Sequence, residues 1–223
     1  MQIVRIWDLP TRLFHWMLAL AVIGLVVTGK VGGNAMVWHF RLGYVVFALI
    51  LFRLVWGLVG GHWSRFVAFI YAPATLIAYL RGEGRPEHAA GHSPTGALSV
   101  FALLAVLGLQ VATGLFSDDE IAAAGPLTTL VAGKTVSLAT GWHKHWGQWL
   151  VIGLVVLHVA AIIYYRFAKR QNLVTAMLTG DKTLEVALTA SRDGVADRLK
   201  ALLVLALAAG VVWWVVSLGG AKP

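Results

Sequence analysis

Cysteine is missing from this 223-residue chain. That absence excludes disulfides, iron–sulfur clusters, thiolate zinc sites and cofactors attached through thioethers. Charge is scarce too: 13% of residues are charged and 59% are hydrophobic, whereas soluble domains keep roughly a quarter of their residues charged. Only ten residues are acidic, nearly all of them in connecting segments. A metal inside the apolar runs would therefore have to rest on the eight histidines. The net charge of +8 does not indicate a nucleic-acid partner, because the basic residues are scattered between apolar runs and form no patch.

What the chain does have is long apolar runs. Four of them, approximately Met36–Val59, Ala97–Phe116, Trp146–Tyr165 and Ala201–Leu218, reach the roughly 20 residues that cross hydrocarbon. A fifth, Leu13–Thr28, is slightly short, and Pro10 ahead of it suits a helix start. The stretch Ile6–Pro10 is expected at the membrane interface. Phe66–Leu80, interrupted by Pro73 and bounded by Arg65 and Arg81, reads as an interfacial or broken helix. A histidine within Leu13–Thr28 and the lack of a small-residue cleavage site argue that this segment is retained.

Lysine and arginine set the orientation. With the N-terminus inside, the outer face carries Lys30, Arg41, Lys134, Lys144 and Lys222, five against twelve on the cytoplasmic side. The bias predicts an inner-membrane protein with a cytoplasmic N-terminus. Tryptophans flank the spans as an interfacial belt does.

Polar residues within spans are costly and usually functional. His15 and His158 share the cytoplasmic half by depth, and His39 shares the outer half with His143 and His145. Two histidines at each of two depths is what two six-coordinate haems require. One helix serving both haems must present its ligands on a similar face. Along a regular α-helix His143 lies roughly 60° from the face of His158, and His145 roughly 140°. Phase favours His143, and His145 is assigned to the surface or a haem edge. The rise between His143 and His158 is about 22 Å, which places one haem in each leaflet. Arg53, within roughly 40° of the face of His39, has no carboxylate in any span, so a haem propionate is its expected partner. Gly24, Gly43, Gly108, Gly147 and Gly153 would admit a flat macrocycle or serve as ordinary helix contacts. His62, His88 and His92 are expected to be solvated loop residues.

Several motifs carry a family resemblance. Ile6-Trp7-Asp8-Leu9-Pro10-Thr11-Arg12-Leu13-Phe14-His15-Trp16 is followed by His39-Phe40-Arg41-Leu42-Gly43, Arg53-Leu54-Val55-Trp56-Gly57 and Gly91-His92-Ser93-Pro94-Thr95-Gly96. Trp142-His143, Leu157-His158, Asn172-Leu173-Val174 and Met177-Leu178-Thr179-Gly180 complete the set. Together they resemble the bacterial cytochrome b561 family of diheme membrane cytochromes, which includes the b-type cytochrome subunits of nickel–iron hydrogenases. The resemblance covers about residues 1–182. It implies an all-α transmembrane bundle with a four-helix haem-binding core, here with a fifth C-terminal span, and a division into a cytochrome domain (1–182) and a connector with a last helix (183–223). It also implies two non-covalent haem b with His15, His39, His143 and His158 as axial ligands. The Trp142–Gly147 stretch carries one residue more than the family spacing, so His143 and His145 both stay candidates for the outer haem.

The function these features predict is electron transfer across the membrane, between quinone and a redox partner such as a c-type cytochrome, a hydrogenase or a dehydrogenase subunit. Two other classes share parts of the pattern. A self-contained quinone-coupled oxidoreductase, such as a superoxide oxidase, would use Lys30, Lys134 and Lys144 to attract an anion, but Asp118-Asp119-Glu120 opposes this. A histidine-lined transporter would need polar residues along a path, and the third span offers little beyond Gln110. No constellation identifies a quinone site.

Overall fold

A computed structural model describes residues 1–121 and 123–220, which leaves Lys222 outside the described residues. The chain begins with a short strand β1 (Gln2–Arg5). Four helices follow: α1 (Leu9–Val31), α2 (Met36–Val59), the short α3 (Pro73–Leu80) and a single turn α4 (Glu87–Ala90). After α5 (Pro94–Leu115), α6 (Gly133–Gly141) runs through a π-helical turn, Trp142–Gly147, into α7 (Gln148–Phe167). Helix α8 (Leu173–Thr179), strand β2 (Asp181–Leu184) and α9 (Val195–Ser217) complete the order. Five helical stretches are long and apolar enough to cross a membrane: Leu9–Val31, Gly33–Val59, Pro94–Leu115, Gly133–Phe167 and Val195–Ser217. The protein is an all-α, multi-pass transmembrane helical bundle. Its helices keep apolar side chains exposed, as on α9 with Leu202, Leu203, Leu207, Trp213 and Trp214, a surface suited to lipid.

The first span is longer than its hydropathy indicates. Asp8 caps it: the Thr11 N–H donates to Asp8 Oδ1 at 2.8 Å, and Pro10 sits in the first turn, where its missing N–H costs nothing. The fourth span begins at Gly133, because the weakly apolar Gly133–Gly141 segment continues the helix before the hydrophobic run. Pro73 ends the irregular stretch after Arg65 and starts α3.

Two compact units are defined by contacts. The first comprises Met1–His15, Arg53–Ala102 and Val155–Val204; the second comprises Trp16–Phe52, Leu103–Leu154 and the chain from Leu205. In the first unit β1 pairs antiparallel with β2, setting Val4 opposite Lys182 and Arg5 opposite Asp181. Arg5 holds Asp181 at 2.6 Å and Asp193 at 2.7 Å. Within Ile6–Pro10, Ile6–Asp8 is buried inside the protein: Ile6 and Trp7 join Val4, Trp63, Ala90 and Ala176 in one apolar cluster. Fully buried Asp8 also accepts from Trp56 Nε1 at 3.2 Å, the Gly61 N–H at 3.0 Å and Ser64 Oγ at 2.7 Å. A carboxylate taken out of water needs such a complete set of donors.

Candidate haem sites

Each unit brings one histidine pair together. In the first, the rings of His15 (α1) and His158 (α7) have centroids 6.2 Å apart, inclined at 49°. In the second, those of His39 (α2) and His143 (π turn) are 6.0 Å apart at 84°. His145 stays out of both pairs: it is exposed, and its Nδ1 lies 3.2 Å from Gly141 O.

The second pair is held by main-chain carbonyls. His39 Nδ1 donates to Leu25 O at 3.1 Å, and His143 Nδ1 donates to Gln110 O at 2.9 Å. A proton kept on Nδ1 fixes the tautomer and leaves Nε2 as the free lone pair, the arrangement that metal-binding histidines use. Gln110 contacts His143 a second time, its Nε2 donating to His143 O at 2.9 Å. Two glycines admit the rings: a Cβ at Gly29 would stand 3.2 Å from His39 Cε1, and one at Gly114 would stand 2.9 Å from His143 Cε1. Neither glycine nor Gln110 stood out from the sequence as a site residue, because each acts only through a contact with a distant segment. Around this pair lies a cavity of about 580 Å³ whose walls include Leu25, Gly43, Leu107, Val111 and Val151. A Cβ at Gly43 would meet nothing within 4 Å, so the wall is flat there.

Arg53 is buried in the first unit. Its Nη1 donates to Ser64 O at 2.9 Å, and its guanidinium stacks over Phe66 at 4.6 Å. Asp8 interacts with it electrostatically, without an ion pair among the described residues. Of the three loop histidines expected to be solvated, His88 is buried, and His62 and His92 are half-buried against aromatic rings. His88 is buried and its Nδ1 accepts from the Arg85 N–H at 3.1 Å; His62 stacks on Trp63 at 4.9 Å. His92 is wedged between Trp7 at 4.7 Å and Phe69 at 4.3 Å. These rings pack because the short turns around Trp63 and Ala90 fold back onto the cluster formed by Ile6 and Trp7.

The pairs fit haem. An imidazole nitrogen lies about 1.2 Å from its ring centre and a metal–imidazole bond is about 2.0 Å, so two imidazoles on opposite faces of one iron have centroids about 6.4 Å apart. Both observed separations come within a few tenths of an ångström of that value. Among the described residues no three histidine or acidic side chains gather around one point, so four further donors must come from the ligand itself, as a porphyrin supplies them.

Fold and site together define a multi-pass helical membrane protein with two imidazole pairs, each spaced for one iron. The family model described as prokaryotic cytochrome b561 matches residues 6–180, and the chain belongs to that family. As a membrane b-type cytochrome it serves electron transport with haem b. Among curated proteins it is similar to the probable Ni/Fe-hydrogenase B-type cytochrome subunit of Cupriavidus necator, at 27% identity over 81% of this chain and 87% of the relative. The corresponding proteins of Azotobacter vinelandii (28% identity, covering 79% and 87%) and Escherichia coli K12 (hydrogenase 1; 24%, covering 78% and 88%) are also similar. No solved structure gives a significant match.

Proposed function

We propose that the chain holds two haem b, one between His15 and His158 and one between His39 and His143, and conducts electrons between quinone and a redox partner protein. The matched ring separations of 6.2 and 6.0 Å carry this reading. Haem iron between two imidazoles exchanges single electrons and keeps no position open for oxygen. The chain's part is positional. Leu25 O and Gln110 O hold two imidazoles in the ligating tautomer, Gly29 and Gly114 make room for them, and Leu107, Val111 and Val151 give the cavity apolar walls. Arg53 is assigned to a propionate of the haem at His15 and His158.

The names of the relatives make a nickel–iron hydrogenase the favoured partner. The lysine and arginine bias supports insertion in the inner membrane with the N-terminus in the cytoplasm, which puts the His15 pair on the cytoplasmic side and the His39 pair outside. Residues 1–182 form the cytochrome domain and 183–223 a connector and an added span, a division supported by the limits of the family match.

A reduced-minus-oxidised spectrum with haem extraction tests the reading. Two low-spin haems per chain are expected; His15→Ala should remove one and His39→Ala the other. One haem per chain at saturation overturns it.

A further inference from the structure

The surroundings of the His15–His158 pair are short of negative charge. His92 sits just before α5, fixed by Trp7 and Phe69 on its ring and by Tyr71, whose hydroxyl donates to His92 O at 2.9 Å. Its Nδ1 is shielded from solvent and has no hydrogen-bond partner among the described residues. Phe69, itself buried, also lies 5.9 Å beneath the guanidinium of Arg53, so one aromatic ring supports both basic groups. Lys182, on β2, reaches in from a third direction and donates from Nζ to Ala89 O at 2.9 Å. The groups within electrostatic range of His92 are Arg53, Lys182, His15 and His158, none of them acidic. Asp8 reaches Arg53 electrostatically without an ion pair among the described residues, and no carboxylate acts on His92 or Lys182.

Burying more basic groups than there are anions to match them is unfavourable. The strain registers in the groups outside the spans: burial and the neighbouring cations push His92 down to about 3, and burial pushes Lys182 down to about 8. A fold that keeps such a cluster within electrostatic range of the His15–His158 pair gains from a ligand that brings carboxylates.

We propose that Arg53, His92 and Lys182 form a clamp for the two propionates of the haem held by His15 and His158. The clamp rests on the haem assignment above and extends it to two residues, His92 and Lys182, that make no bond to iron. Carboxylates entering the cluster accept from the free His92 nitrogen and from the lysine and arginine heads, and in doing so fix which edge of the macrocycle faces β2. His92 and Lys182 are positioning residues.

The test loads full-length protein, expressed without haem, with haem b or with its dimethyl ester. Retention at this site is followed through the part of the absorbance that His15→Ala removes. The wild-type chain is expected to hold haem b at least tenfold longer than the diester. Lys182→Met and His92→Phe should each cut that ratio to below threefold while the low-spin spectrum persists, and should lower the midpoint potential of this haem. Lys182→Arg should restore the ratio. Equal retention of the acid and the diester by the wild type overturns the clamp, as does a preference for the acid that inorganic phosphate erases, which would assign the cluster to a free anion. Loss of the low-spin spectrum in His92→Phe also overturns it, by making His92 a ligand. If His15→Ala removes no haem absorbance at all, it is the haem assignment that fails.

Discussion

Gln110→Leu probes how the His39–His143 pair is built. The side chain of Gln110 donates to His143 O at 2.9 Å, while its main-chain carbonyl accepts from His143 Nδ1 at the same distance. Leucine keeps the second bond and deletes the first. A carbonyl left without its donor in apolar surroundings costs about 1–3 kcal/mol. Gln110 Oε1 is buried with no donor among the described residues, and removing it returns part of that cost. The net loss is about 1–2 kcal/mol, or about tenfold in affinity for the haem at this pair, in line with the roughly 10–100-fold effects of changing groups behind metal-bound histidines. The assay follows transfer of haem from the purified protein to an excess of apomyoglobin. One kinetic phase should quicken about tenfold in Gln110→Leu while the spectrum before transfer stays low-spin. His143→Ala should abolish that phase, and His145→Ala should leave it unchanged. Unaltered kinetics in Gln110→Leu, or loss of haem in His145→Ala with retention in His143→Ala, would refute the reasoning.

Gly114→Ala places a methyl 2.9 Å from His143 Cε1, closer than the 3.2 Å that Gly29→Ala leaves to His39 Cε1. Overpacking of this kind costs about 1–3 kcal/mol, so Gly114→Ala should lower occupancy of this haem more than Gly29→Ala, read from the low-spin band amplitude. At the N-terminal sheet, burial works to raise the Asp193 carboxyl, but Arg198, the Leu9 N–H and Arg5 outweigh it and hold it below the usual 3.8. Its contribution to stability is therefore present above that value and lost as pH falls through the lower folded one. Asp193→Asn should reduce the melting temperature in detergent at pH 7, and the difference from wild type should close as pH falls through the folded-state value, below 3.8.

Much of this architecture was legible because hydropathy and depth are one-dimensional properties. Apolar runs disclosed the spans, and sorting histidines by depth set His15 with His158 and His39 with His143 and His145; in space the rings pair as His15 with His158 and His39 with His143. What was not legible depends on contacts between remote segments. The sheet joins residue 2 to residue 184, Asp8 collects donors from Trp56 to Ser64, and His92 is wedged between Trp7 and Phe69. A loop histidine beside serine and proline carries no periodic signal of burial, so composition pointed to solvent.

The register of the fourth span shows how a wrong premise left the geometric preference standing. A continuous α-helix through His143 was the basis for the expected facing, yet Trp142–Gly147 is a π turn. Such a turn holds one residue more than an α turn, which is the size of the departure from the family spacing in this stretch. Histidines two residues apart shift together, so the insertion does not exchange them. What it changes is the local backbone, and the widened turn has a support from outside the helix. Gln110 supplies that support by donating to His143 O, and buried Gly147, where any side chain would overlap Gln110 Oε1, lets the amide close in. The extra residue, the glutamine in the third span and the glycine at the end of the turn thus form one device, which holds the His143 imidazole against Gln110 O with Nε2 free.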